Sequence, residues 1–500
     1  MADFLLEIGL EEVPARMIAG AEAELLRRTV ALLERERLLV EGTTILSEGV
    51  RSFSTPRRLA VRVEGVLGQQ PDVTEEVTGP AVKIAFKDGV PGPAAEAFAR
   101  KNGVSVAELK TISTAKGEYL AAMSTKRGRS ASEVIASELP KEIGAIYWAK
   151  NMYWRAGKPE RFVRPVLWMV CLLDEDVVPV SFAGVTAGRA TFGHRVLSTG
   201  EAFEVVSPGS YEAQLEGEFV VAEVEVRRQR IRKALDYATR RVDGARWRED
   251  EALVDTVTHL TEWPAVLLGG FEASYLELPE EVLVTVMRDH QKYFAVEDAE
   301  GRLAPYFLAV LNIELTEGNE PVIRQGNERV LRARFNDARF FWEFDQRTPL
   351  RDRLPLLEKV TFQKELGSYA AKTERVRALA AKLAGMVSTR GGQVDAAAVD
   401  EAATLAKTDL TTELVKEFTE LQGVVGGLYA RAQGMRPAVA EAIYDQYLPG
   451  GAGDALPRAA EGAVLGLADR ADTLAGMFGL GMEPTGSKDP FALRRAANAV

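Results

Sequence analysis

The chain has 500 residues, 46% hydrophobic and 27% charged, with a formal net charge of −11. That length exceeds a single core and predicts roughly three or four domains. One cysteine, Cys171, excludes an internal disulfide, and no apolar run approaches the ~20 residues of a membrane span, so a cytoplasmic protein without a membrane partner is expected.

Residues 4–9 read as a strand, and Pro14 sits just inside a helix whose apolar face carries Leu25, Leu26, Leu32 and Leu33. Residues 57–64 alternate, Leu59, Val61 and Val63 against Arg58, Arg62 and Glu64, which predicts a strand with one wet face. Between 66 and 140, Gly79, Pro80, Gly89, Pro91, Gly92 and Pro93 punctuate short helices such as 94–101, the pattern of a small inserted module. Strand patterns return at 163–173 and 177–182. Val220, Val224, Ile231, Leu235 and Ala238 then mark a long amphipathic helix.

A helix opens at Pro279 with Glu280 and Glu281 in its first turn, where acids complement the dipole, and another runs over 321–345. From about residue 350 the strand pattern stops. Helices are predicted near 354–388, 396–418, 436–447 and 460–480. A last one, opened by Asp489 and Pro490, runs over 491–500 without a C-cap signal, and a further segment is expected to follow it. The fold class is α+β multidomain: an N-terminal α/β region (1–65), an inserted module (66–140), an α/β region continuing the first (141–210), a mixed α/β middle with long helices (211–349), and an all-α section (350–500).

Candidate chemistry is thin. The segment 481–488 has the two glycines of a P-loop, but Lys488 follows Ser487, the reverse of what phosphate and metal contacts need, so a plain inter-helix loop is the better reading. Zinc motifs of the H-E-x-x-H or paired-cysteine type are absent. Asp409, Glu413, Asp469 and Asp472 offer carboxylates to a divalent metal, yet the helical section has no histidine, and they read better as solvated or capping acids. Cys171 lies in an apolar run as a small buried hydrophobe. His194, in Gly193-His194-Arg195, fits a structural hydrogen-bonded position better than contact with substrate or RNA. No catalytic, cofactor-binding or metal-binding residue is assigned.

Cations beside aromatic residues give the strongest signal, because an acidic chain can still meet phosphates through local patches. The string Arg288-Asp-His290-Gln-Lys292-Tyr293-Phe294 closes the helix from Pro279. Arg288 and Lys292 are expected on one face, with His290 half-buried beside Val282 and Val286. They suit either the C-terminal dipole or stacking and phosphate contact with RNA. Arg324, Arg329, Arg332, Arg334 and Arg339 surround a spine of Leu331, Phe335, Ala338 and Trp342. At ~100° per residue, Arg329, Arg332 and Arg339 fall on one solvent side. A third cluster, Arg155, Lys158, Arg161 and Arg164, adjoins Trp154 and Phe162, and a fourth, Lys126, Arg127 and Arg129, sits on a predicted loop.

Eight strings, in order, resemble bacterial glycyl-tRNA synthetase β subunits: Phe4-Leu-Leu-Glu-Ile-Gly-Leu-Glu-Glu-Val-Pro14, Ser54-Thr-Pro-Arg-Arg-Leu-Ala60, Arg161-Phe-Val-Arg-Pro165, Gly193-His-Arg195, Glu262-Trp-Pro264, Met287-Arg-Asp-His-Gln-Lys-Tyr-Phe294, Glu420-Leu-Gln-Gly423 and Pro484-Thr-Gly-Ser-Lys-Asp-Pro-Phe-Ala-Leu-Arg-Arg495. The resemblance covers essentially the whole chain. It implies an α2β2 ligase that joins glycine to tRNA(Gly), with the class II site, ATP and magnesium at the α subunit and tRNA binding on the β subunit. In keeping with this, the sequence has no class I HIGH or KMSKS string and no class II ATP-binding signature. The resemblance implies a C-terminal anticodon-binding domain beyond the Phe491 helix, which this 500-residue sequence is not expected to contain. Residues 350–490 resemble an HD-type domain, a superfamily that holds metal on histidines and aspartates. Asp409 could stand for the aspartate, but no histidine accompanies it, so that chemistry is expected to be lost. The expected tRNA contacts are Arg161, Arg164, Arg288, His290, Lys292, Arg329, Arg332 and Arg339. Two alternatives stand beside this reading: an HD-type metal-dependent phosphohydrolase, and a purely structural assembly subunit.

Overall fold

The computed structural model describes residues 1–500 except 88, 115–116, 452 and 486–488. It divides into two compact units: Met1–Ala234 with Glu251–Ala265 and Val310–Leu315, and Leu235–Asp250 with Val266–Ala309 and Thr316–Val500. Among the described residues no helix is long and apolar enough to cross a membrane.

The first unit is organised by a five-stranded antiparallel sheet in the order Asp176–Val177, Val166–Leu173, Ala2–Leu10, Arg58–Val66, Val50–Thr55. Side chains alternate across each strand, and both faces of the central strand are covered. Phe4, Leu6, Ile8 and Leu10 join a core with the helices Ala15–Arg35 and Ala131–Gly144. Leu5 faces the other way, with Phe53, Ala60, Trp168, Val170 and Tyr211. Double coverage explains why Arg58, read from the alternation as lying on a wet face, is fully buried. The run expected at 177–182 is broken into Asp176–Val177 and Ser181–Phe182. Val73–Ala81, Gly117–Lys126 and Lys110–Thr114 form a separate three-stranded sheet, and nearby Ala85, Ala95 and Leu120 make a small core of their own.

The second unit carries a four-stranded sheet in the order Arg246–Trp247, Tyr293–Glu297, Leu303–Asn312, Pro264–Gly270. The helix Glu280–Thr285 runs on as a π-helical turn, Val286–Gln291, which ends at Lys292 with φ +60°. The wider turn and left-handed residue take Lys292 off the helical face it was expected to share with Arg288. The 26-residue helix Glu320–Asp345 buries Leu331, Phe335 and Ala338, the expected spine.

Beyond residue 350 the helices Tyr369–Thr389, Ala396–Leu405, Val424–Ala432, Pro437–Asp445 and Ala460–Gly479 dominate. Two details depart from the sequence reading. Thr361–Gln363 and Gly367–Ser368 pair as a short hairpin, turned through Gly367 at φ +86°. The predicted helix over 396–418 is broken by the 3-10 turn Thr408–Thr411, and Val424–Ala432 is an additional helix. Asp489 does accept from the Leu493 and Arg494 amides, but the helix it caps begins at Leu493. The P-loop-like segment ends in residues 486–488, outside the described residues.

Candidate nucleic-acid interface

Five of the eight strings meet inside the first unit, and the meeting point is dry. Glu7 shares a strand face with Leu5 and Gly9, and its carboxylate is fully buried. Four donors converge on it: Trp168 Nε1, the Tyr211 hydroxyl, Thr191 Oγ1 at 2.5 Å and Arg58 at 3.4 Å. Gly9 makes room for this, since a Cβ there would lie 2.0 Å from the Trp168 ring. Arg58 also donates to the Phe192 carbonyl at 2.8 Å and lies 3.6 Å from Glu262. Burial alone would lower its pKa, but Glu7, Glu262 and Tyr211 outweigh that and raise it. Glu262 accepts from Thr55 at 2.7 Å and faces Arg57 at 3.6 Å. Burial, and next Glu7, pushes the Tyr211 phenol up.

His194 belongs to the same interior. Its Nδ1 accepts from the Val196 and Leu197 amides at 3.2 and 3.1 Å, so it holds its loop rather than facing a ligand. Cys171 is buried, and burial raises its thiol pKa. These groups are used up in pairing one another. They offer no exposed nucleophile or base.

In the second unit the acids read as solvated or capping are mostly neither. Asp409, Asp469 and Asp472 are buried, and two buried lysines meet them. Lys372 Nζ lies 3.1 Å from both Asp469 and Asp472, and Lys407 Nζ lies 3.2 Å from Asp469 while donating to Gln446 and the Tyr447 hydroxyl, each at 2.8 Å. A carboxylate in so dry a place needs a counter-charge, and the ammonium groups supply it. Asp409 Oδ2 accepts from the Gly423 amide at 2.5 Å; burial pushes its carboxyl up to about 6. Glu413 alone is half-buried, pairing with Lys416 at 2.6 Å in the first turn of its helix. Among the described residues no group of three or more His, Cys, Asp or Glu could hold a metal ion.

The eight candidate contacts separate by how each cation is engaged. Arg161 and Arg329 are exposed and, among the described residues, hold no ion pair or hydrogen bond. Arg332 is exposed, 3.4 Å from Glu272. Arg288 is exposed but sits 2.7 Å from Asp250. Arg164 donates to the Glu12 and Val163 carbonyls at 2.9 and 3.1 Å. Arg339 donates to the Ser274 carbonyl at 2.9 Å and lies over the Tyr275 ring at 4.4 Å, which draws it away from the solvent side expected for it. Lys292 donates to the Asp289 carbonyl at 2.6 Å, and His290 sets its ring edge-on to Phe418, 3.6 Å from Glu420. The π-turn thus sends Arg288, His290 and Lys292 to different neighbours and keeps each partnered.

A model of the glycyl-tRNA synthetase beta subunit family matches residues 4–500. The chain belongs to that family. It is 64% identical over 500 residues to the glycine–tRNA ligase beta subunit of Acidobacterium capsulatum, covering 100% of this chain and 70% of that protein. The beta subunits of Myxococcus xanthus and Desulforudis audaxviator are 46% and 44% identical, again over 100% of this chain and over 69% and 71% of theirs. A conserved hypothetical protein from Pyrococcus furiosus aligns with 30% of this chain and 93% of its own at TM-score 0.22 and 15% identity, too low for the folds to be called alike. As a member of the family, the chain serves glycyl-tRNA synthesis as a beta subunit of the ligase.

The family strings therefore mark scaffold more than surface. Sequence reasoning missed Glu7, Glu262, Lys372 and Lys407 as buried ions, and one signal was available: Glu7 and Lys407 each sit among apolar neighbours, in Leu5-Leu6-Glu7-Ile8 and Leu405-Ala406-Lys407. An ion in such a run needs a partner from elsewhere in the chain.

Proposed function

We propose that this chain grips tRNA(Gly) for a partner α subunit that activates glycine, within an α2β2 ligase of the cytoplasm. ATP and magnesium act at the α subunit, and this chain contributes no catalytic group. The observation that carries the reading is the division of its charges. Buried ions neutralise one another in Glu7–Arg58–Glu262–Arg57 and in Lys407–Asp469–Lys372–Asp472, whereas Arg161 and Arg329 stand exposed with no side-chain partner among the described residues. Exposed guanidinium groups meet phosphates without first giving up a carboxylate. Arg332 and Arg288 would exchange weak or exposed ion pairs for phosphate contacts, and Arg164, His290, Lys292 and Arg339 position the elements around them.

The five-section division of the chain and the HD-like character of its helical end belong to the same proposal. In that reading Lys372 and Lys407 take the role a metal would have beside Asp469 and Asp472, which disfavours a phosphohydrolase. A mobility-shift titration of tRNA(Gly) at several salt concentrations, with and without the α subunit, tests the reading. Arg161→Ala and Arg329→Ala should each weaken binding and reduce the salt slope by ~0.9 for every phosphate no longer neutralised. Wild-type protein that binds no tRNA in either state would leave only a structural assembly role.

A further inference from the structure

We propose that residues 145–165 of the first unit form a stacking platform for unpaired nucleotides of the tRNA, with Tyr147 and Tyr153 as the ring surfaces and Lys150, Lys158 and Arg161 as the phosphate contacts. This rests on the tRNA reading above and adds which part of the nucleic acid the surface takes. Between Gly144 and Val166 the chain forms no helix or strand, only a bridge between Met152 and Phe162. Even so, the loop is firmly anchored. Met152 and Phe162 exchange backbone hydrogen bonds at 2.8 and 3.2 Å, and the Tyr147 amide donates to Glu24 at 3.0 Å. Behind it, buried Trp148 and Phe162 meet edge to face at 5.2 Å.

On this support the large side chains divide. Trp148 and Phe162 point in, while Tyr147 is 64% exposed and Tyr153 49%. The cations divide too. Arg155 is paired with Glu160, the one acid in the stretch 145–165. Among the described residues the Lys150 and Arg161 side chains have no ion pair or hydrogen bond, and the Lys158 side chain has only the Tyr153 ring, 5.6 Å from its ammonium. A chain of net charge −11 therefore presents three unneutralised cations and two exposed rings on one anchored stretch, 145–165, with Lys158 set against the Tyr153 ring. A protein partner would favour an interface core depleted in lysine. A duplex would hide its base faces and leave the rings unused. Unpaired nucleotides use both features, a base on each ring and phosphates on the cations.

The test uses the assembled ligase and three RNA probes: a labelled single-stranded oligoribonucleotide of about eight nucleotides, the length scale of such grooves, a blunt hairpin, and tRNA(Gly) transcript. The double variant Tyr147→Ala/Tyr153→Ala should weaken oligonucleotide binding at least ~30-fold and leave the hairpin unchanged, while Tyr147→Phe/Tyr153→Phe keeps the rings and restores affinity. Lys158→Ala/Arg161→Ala should reduce the salt slope on the oligonucleotide by ~1.4. Unchanged oligonucleotide affinity in the alanine pair, with tRNA still bound, overturns the platform and spares the tRNA reading. An equal loss on the hairpin also overturns it, as does loss of the α subunit from the complex without loss of oligonucleotide binding, which would mark a protein interface. Wild-type ligase that binds none of the probes overturns both readings.

Discussion

Replacing Glu7 by Gln keeps the side chain's shape and removes its charge and half its acceptors. In the native fold Oε1 receives Trp168 Nε1 and Thr191, and Oε2 receives Arg58 and Tyr211. The new amide NH2 must face one of these pairs. Hydroxyls can rotate and accept, but an indole N–H and a guanidinium cannot. Turned toward Oε2, the amide strands Arg58; turned toward Oε1, it opposes Trp168. Breaking a buried ion pair by removing one partner costs ~3–5 kcal/mol. Glu262, 3.6 Å from Arg58, and the Phe192 carbonyl remain as partial compensation, so the expected loss lies near the lower end, ~3 kcal/mol. Urea unfolding followed by Trp168-sensitive near-UV dichroism would measure it, beside glycylation of tRNA by the assembled ligase at a temperature where the variant is folded. The expected result is lower stability with a turnover per folded molecule close to wild type. A variant of native stability whose turnover falls a hundredfold would refute the reasoning, because Glu7 would then be part of the chemistry.

Gly9→Ala drives a Cβ to 2.0 Å from the Trp168 ring; overpacking of this kind costs ~1–3 kcal/mol or more, and an unfolding midpoint equal to wild type would contradict the packing described. Lys407→Met leaves Asp469 with Lys372 as its one remaining ammonium partner, so hydrogen exchange in the helices around 396–447 should report a local loss of ~3 kcal/mol; unchanged protection would mean that the carboxylate does not depend on this lysine. Burial raises the Asp409 carboxyl to about 6 from an ordinary 3.8. The folded chain therefore keeps a proton that the unfolded chain releases in that interval, and this group's stabilisation is full below about pH 4 and lost as pH rises through about 6. Asp409→Asn cannot ionise, so it should be more stable than wild type at pH 7.5, by up to ~3 kcal/mol, and should converge with it near pH 4; the opposite ordering at pH 7.5 would count against a carboxyl raised by burial.

Local pattern made the central strand, the helix beginning after Pro14 and the helix ending at Asp345 legible, because each carries its period and its end signals within a few turns. Arg58 was misread because alternation says which residues share a face, not whether that face is covered; its cover comes from Trp168, Thr191 and Tyr211, far along the chain. The buried acids of the second unit were misread for the same reason, since Lys372 and Asp469 belong to different helices. Arg288 and Lys292 do not share a face because of a π-turn that no residue type announces. The exposed state of Arg161 and Arg329 was within reach of the sequence. Their freedom from acidic partners was not, because that depends on which carboxylates fold nearby.

The central claim is that this chain contributes grip and not chemistry. Glycine-dependent ATP–pyrophosphate exchange, run with the purified chain alone, the α subunit alone and the two together, tests it most directly. No exchange from this chain alone is expected, with exchange appearing only when the α subunit is present. Exchange sustained by this chain alone, and abolished by a substitution within it, would contradict the account.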